Sequence, residues 1–237
     1  MLVCIPNVLE AAQIVSLRER LEHAGDSWVD GRVTAGYQGA PVKFNQQIDE
    51  RSEVALACQR IIVPVLERNP IFISAVLPNM IYPLQFNRYG EGMTFGPHVD
   101  GSVRLHPHDG RKIRTDVSAT LFLTDPADYD GGELEIEDTY GRHRVKLEAG
   151  AMVVLNSSMF STSFCSWPHG MLPSVQRRSA RAMPSASRLT RSKVPRWRTA
   201  PWLLARSRSH SSKASRLTMP TKPFSIGMST RLSLGEI

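Results

Sequence analysis

Cysteine is scarce in this chain. Cys4, Cys58 and Cys165 are scattered over 237 positions, and no two of them form a CxxC pair. That excludes a disulfide framework and a cysteine-built zinc site. It fits a reducing compartment, so a cytoplasmic location is expected. Long apolar runs are lacking too. Nothing approaches the ~20 residues of a membrane-spanning helix. The opening residues, MLVCIPNVLEAAQ, have neither the basic start nor the apolar core of a secretion signal. No membrane partner is expected.

Acidic residues run out towards the end. After Leu155 there is one, Glu236, against 14 Lys and Arg. The overall net charge of +7 therefore belongs to the last third, whose own balance is +13. The first 155 residues carry 15 basic and 21 acidic groups, a net of −6. The basic total says nothing about what the front part binds.

What the chain does have is concentrated between Phe86 and Glu137, in FNRYGEGMTFGPHVDGSVR and SATLFLTDPADYDGGELEIE. At the centre stand His98 and Asp100. On an extended strand, residues two apart project from the same face. An imidazole and a carboxylate side by side are two-thirds of a 2-His-1-carboxylate site, which holds Fe(II) and leaves one side of the ion open. A short HxD motif alone is weak, since a surface turn with a salt-bridged histidine reads the same way.

Taken in order, Val8 to Gly25 has helical apolar spacing, with Gly25 as a stop. Residues 26–50 are glycine-rich and polar, and read as loop or short edge strands. Ser52 caps a second helix that reaches Leu66, and Pro64 should kink or end it. Strand signals follow at Ile71–Val76, Ile81–Phe86, Val117–Thr124, Glu133–Glu137, Arg142–Leu147 and Met152–Leu155. The Asp130-Gly131-Gly132 turn sits among them. Closely spaced strands with turns between predict a mainly β protein with N-terminal helices, built as an antiparallel barrel or sandwich.

After Leu155 the character changes. Residues 156–237 hold 18 Ser and 7 Pro beside the 14 basic residues. With no sustained apolar alternation, this segment is expected to be a largely disordered basic tail. Its Lys and Arg could neutralise phosphates, and Trp197 and Trp202 could stack on bases. A solvated segment is the plainer reading, so nucleic acid is not expected as a partner.

Four stretches carry a family resemblance: RNPIFISAVLP, FNRYGEGMTFGPHVD, RTDVSATLFLTDPADYDGGELEIEDTYG and HRVKLEAGAMVVL. Over roughly residues 1–155 the chain resembles the PKHD-type hydroxylases, of the iron- and 2-oxoglutarate-dependent dioxygenases. The resemblance implies a double-stranded β-helix, or jelly roll, with Fe(II) as cofactor. It also implies 2-oxoglutarate as co-substrate, often with L-ascorbate, and O2 and an unknown substrate as partners. The reaction is a prolyl- or lysyl-type hydroxylation. The N-terminal scaffold would end near residue 75 and the β-helix part would span 76–155.

His98 and Asp100 match the family's first two iron ligands. The third is a His about sixty residues further on, in a strand. An Arg about ten residues beyond it grips the far carboxylate of 2-oxoglutarate. This chain departs there. SSMFSTSFCSW stands where a Ser-Leu-His segment is expected, an abrupt edge of the kind a shifted reading frame would leave. The β-helix is therefore expected to be incomplete and the activity impaired. His169, with Arg178 beyond it, is the tail's nearest substitute for the missing pair, although it lies too far downstream and between Pro168 and Gly170. Tyr89, one strand before the HxD, is a second candidate for contacting 2-oxoglutarate, and an exposed strand end is its bland alternative. A barrel lacking its third ligand could also serve as a non-catalytic module that binds a small acid or a protein.

Overall fold

Strands that pass back and forth between two sheets build the fold. The computed structural model describes residues 1–36, 39–105, 110–157, 159–164 and 225–233. All of these described residues belong to one compact unit.

The first strand is β1 (Leu2–Ile5). Helix α1 (Ala11–Glu22) follows, then β2 (Trp28–Asp30), β3 (Lys43–Phe44) and β4 (Gln46–Ile48). Two helices come next, α2 (Glu53–Arg68) and α3 (Pro70–Val76). The barrel strands are β5 (Met80–Ile81), β6 (Gln85–Tyr89), β7 (Thr94–Val99), β8 (Val103–Leu105), β9 (Lys112–Arg114), β10 (Val117–Phe122), β11 (Leu134–Asp138), β12 (Gly141–Val145), β13 (Met152–Asn156), β14 (Ser161–Phe164) and β15 (Ser225–Ser233).

The large sheet has the order β1-β13-β10-β15-β6-β4-β2, with β5 alongside β15. The smaller sheet runs β12-β11-β14-β7-β3, and β8 and β9 form a separate hairpin. Every pairing in the large and small sheets is antiparallel. This alternation between sheets is the jelly-roll architecture expected from the sequence.

Strands β10 and β13 are buried on both faces, which is why VSATLF and MVVLN read as nearly continuous apolar runs. Ala119, Leu121, Met152 and Val154 face the helices and join Leu17, Leu21, Ile62, Leu66 and Phe72 in one core. The intervening Phe122, Val153 and Leu155 face inwards and pack with Leu134, Ile136 and Phe160 in a second. Gly150 ties the first helix segment to this frame. Its carbonyl accepts the Val8 and Leu9 N–H groups at 2.8 and 3.2 Å. A Cβ at Gly150 would sit 2.8 Å from the Leu9 carbonyl oxygen, on a backbone with φ of +86°.

Three expectations are corrected here. Residues 71–76 are helical. The Asn69 side chain accepts the N–H groups of Ile71 and Phe72, both at 3.0 Å. Pro70 begins α3, where its missing N–H costs nothing. The cap outweighs the β-branched composition that suggested a strand. Pro64 does not end α2, which continues to Arg68 and buries Ile62 and Leu66 on either side of it. Past Asn156, the expectation of disorder fails for Ser161–Phe164 and for Ser225–Ser233. Strand β15 lies between β10 and β6, so the large sheet is continuous there. Met228, Thr230 and Leu232 are spaced two apart and all buried, and Met228 and Leu232 enter the helix-side core. Thr230 on the same face donates its hydroxyl to the Tyr82 carbonyl at 2.7 Å. The short apolar spacing of Met228 and Leu232 was hidden by the serine- and arginine-rich sequence around it.

Candidate active site

His98 and Asp100 come together as the strand geometry requires. His98 Nε2 lies 3.5 Å from Asp100 Oδ1, and each side chain is 10% exposed. His98 Nδ1 is 2.9 Å from the Gly96 carbonyl. A carbonyl only accepts, so Nδ1 carries a hydrogen, and in the neutral ring this leaves the lone pair on Nε2. The imidazole stacks on Phe95, with ring centroids 3.6 Å apart and planes 14° from parallel. Asp100 Oδ2 accepts the Ser118 hydroxyl, and Ser118 Oγ is 3.0 Å from Ser157 Oγ. Both ring and carboxylate are thus held by neighbours, which fixes which atoms they present.

These groups line a cavity of about 510 Å³. Among the described residues, its charged or titratable lining consists of Lys43, His98, Asp100 and Arg104, with the phenols of Tyr82 and Tyr89. Tyr89 is buried and stacks on Phe164 at 4.7 Å. Burial pushes its phenol far above the ordinary range, so it is a neutral hydrogen-bond donor at any physiological pH. Asn87, two residues earlier, also lines the cavity. Arg88 does not: it donates to Gln46 Oε1 and lies over the Trp28 ring at 4.3 Å. The ion pair of Arg114 with Asp116 has N–O 2.7 Å. His169 and Arg178 lie outside the described residues.

Does this donor set fit a ferrous ion? His98 Nε2 and Asp100 Oδ1 are within the ~4 Å that two ligand bonds to one ion span. One is an imidazole nitrogen and the other a carboxylate oxygen, the donor types such an ion takes. The pair fits. The third seat differs. Thr162 on β14 is the register partner of His98, with Oγ1 3.5 Å from Nε2. Among the described residues, no group of three or more His, Cys, Asp and Glu side chains is placed to hold a metal.

Sequence reasoning missed Lys43, Ser118 and Thr162. Lys43 had a signal. In KFNQQ the buried residues are Lys43, Asn45 and Gln47, while Phe44 is 57% exposed. An extended segment with its polar side inwards marks a polar cavity rather than a core.

Residues 84–186 match the family model of the 2OG-Fe(II) oxygenase superfamily. A PKHD-type hydroxylase of Cupriavidus metallidurans is 75% identical over 158 residues, which cover 67% of this chain and 69% of that protein. One from Paracoccus denitrificans is 53% identical over 154 residues, 65% of this chain and 67% of its own. The chain therefore belongs to the PKHD-type hydroxylases, a group of Fe(II)- and 2-oxoglutarate-dependent dioxygenases. Among solved structures, a Trichoplax adhaerens prolyl hydroxylase in complex with a hypoxia inducible factor peptide fragment is similar. Its TM-score is 0.54 at 9% identity, covering 98% of this chain and 83% of that one. HygX from Streptomyces hygroscopicus, with nickel and 2-oxoglutarate bound, gives 0.51 at 11% identity, covering 98% and 82%. At these identities they support the jelly-roll fold alone. No helix among the described residues is long and apolar enough to cross a membrane.

Proposed function

We propose that His98 and Asp100 are the iron ligands of this dioxygenase and that the cavity they line is its reaction chamber. The observation that carries this is the pairing itself, Nε2 and Oδ1 at 3.5 Å on the wall of a cavity of about 510 Å³. Fe(II) held by His98 and Asp100 would, with 2-oxoglutarate and O2, supply the oxygen chemistry: one oxygen atom of O2 would enter succinate as the 2-oxo acid loses CO2, and the other would hydroxylate a substrate C–H bond.

The protein's own residues do the rest. The Gly96 carbonyl keeps the hydrogen on Nδ1, so Nε2 is always the atom offered. Ser118 donates to Asp100 Oδ2 and helps to fix the orientation of the carboxylate. Tyr89, kept neutral by burial, donates a hydrogen bond to the co-substrate. Phe95 and Phe164 give the chamber apolar walls that limit water. L-ascorbate is the reductant we assign to keep the metal ferrous. The substrate is a side chain of the prolyl or lysyl kind, and the scattered thiols suit a cytoplasmic setting.

A second reading rests on Thr162. With a neutral hydroxyl in the third seat, the same chamber could bind a small acid without catalysis. Titration calorimetry of the purified protein with 2-oxoglutarate, with and without Mn(II), separates the two. Binding that requires the metal, and that His98→Ala and Asp100→Ala abolish, supports the enzyme. Equal binding without metal supports the module and sinks the assignment of these two residues.

A further inference from the structure

We propose that Arg104 is a specificity-determining residue of this dioxygenase. Its guanidinium, at the mouth of the chamber, takes a carboxylate of the substrate, so the substrate is an acidic peptide segment. The inference rests on the reading of this cavity as the reaction chamber.

Arg104 lies on the β8–β9 hairpin, which belongs to neither barrel sheet. The two faces of the hairpin differ. Arg104 is the register partner of Ile113, while Val103 stands opposite Arg114 and Leu105 opposite Lys112. Directly opposed residues on antiparallel strands share a face. Ile113 is buried and Arg104 partly buried, whereas the other four are exposed. The inner face therefore carries one apolar residue, as expected, and beside it an arginine. That arginine lines the chamber.

Tyr82 is its platform. The guanidinium carbon lies over the Tyr82 ring at 4.7 Å, and the Tyr82 hydroxyl donates to the Leu105 carbonyl at 3.1 Å. The Tyr82 carbonyl in turn accepts the Thr230 hydroxyl, which anchors the platform to β15. The ring takes one flat face of the guanidinium and leaves the N–H groups at its edge for an acceptor.

A cation turned inwards calls for a counter-charge. Arg104 forms no ion pair among the described residues, in contrast to Arg114, which pairs with Asp116. The hairpin does not offer one either. Its described residues, 103–105 and 110–114, include four Arg or Lys and no Asp or Glu. The local field therefore favours a negative partner from outside. Val99, Val103 and Leu105 are each at least half exposed and line the same cavity, so this wall is its mouth and is apolar beside the charge. A peptide with its reactive side chain in the chamber, an apolar neighbour on these three residues and an Asp or Glu at Arg104 matches all of them.

The test uses the full-length protein loaded with Mn(II) and 2-oxoglutarate. Fluorescent pools of short peptides are prepared, each with a central Pro or Lys, mixed small and apolar neighbours, and flanking positions fixed as Glu in one pool, Gln in another and Lys in a third. Fluorescence polarisation is expected to show the Glu pool binding about tenfold tighter than the Gln pool, at the lower end of the range for a charge-assisted hydrogen bond, with the Lys pool weakest. In Arg104→Met that preference is expected to fall to within about twofold, while calorimetry gives an unchanged affinity for 2-oxoglutarate. Arg104→Gln, which removes the charge and keeps a polar side chain, gives the same readout should Arg104→Met not fold. Full preference in either folded variant overturns the proposal. So do equal binding of the Glu and Gln pools, or binding of neither, by unaltered protein that takes up 2-oxoglutarate; the dioxygenase reading then stands. Weakened 2-oxoglutarate binding in the variants also overturns it, because Arg104 would then serve the co-substrate. Failure of the unaltered protein to bind 2-oxoglutarate at all removes the dioxygenase reading and the proposal with it.

Discussion

Thr162 stands opposite His98 across the β14–β7 pairing, its hydroxyl 3.5 Å from the nitrogen that faces the metal seat. A hydroxyl is a weak neutral donor where an imidazole would be a strong one. The two proposed ligands, His98 and Asp100, come from neighbouring positions at the end of one strand, so by themselves they would hold an ion from one side only.

Replacing Thr162 with histidine should therefore complete the set. Thr162→His is expected to raise Mn(II) affinity by about tenfold or more, since each added ligand bond contributes directly to metal binding. Calorimetric titration of metal alone reads this without any turnover. An unchanged affinity in a folded variant would mean that Thr162 does not face the metal seat.

Strand β15 makes a claim about the core. Met228 is fully buried and belongs to the helix-side cluster. Met228→Ala is expected to cost about 2–5 kcal/mol, the range for truncating a buried methionine or leucine. Urea unfolding followed by circular dichroism measures it. A cost below about 0.5 kcal/mol, the level of an exposed position, would place Ser225–Ser233 outside the sheet.

Alkaline pH should weaken the fold. Burial pushes the Cys58 thiol up from 9.0 to about 11, and burial, with Glu133 and Asp125 nearby, pushes the Tyr129 phenol up from 10.0 to about 12. Above pH 9 the unfolded chain releases the thiol proton while the folded chain keeps it. The folded state then binds more protons, and stability falls with rising pH. Each unit between pH 9 and 11 should remove up to about 1.4 kcal/mol from the thiol, with the phenol adding to the loss between 10 and 12. Urea midpoints across this range check the sign, and Cys58→Ala should flatten the lower part of the slope.

Much of this was legible in the sequence. The two-residue spacing of His98 and Asp100 puts both side chains on one face if the segment is extended, and the structure has them 3.5 Å apart. Strands β10, β11 and β13 follow apolar patterns that depend on local burial. What was missed depends on context. Ile71–Val76 has strand-like residues, yet two hydrogen bonds from Asn69 decide its conformation. Thr162 gains meaning only from the strand it pairs with, and no spacing rule assigns a register across 64 residues. Lys43 was passed over because a lysine in a polar stretch is usually on the surface. Only the exposure of Phe44 next to it reveals that the strand is turned the other way.

The place of β15 also bears on how the chain must be assembled. Its Thr230 reaches back 148 positions to Tyr82, and its backbone joins β6 to β10 in the middle of the large sheet. A ribosome will have released both flanking strands long before this keystone emerges. Until then two bare edges stand open at the centre of the sheet, where they can recruit another chain. Slow, late closure of this kind should make the newly made protein depend on chaperones more than its size suggests.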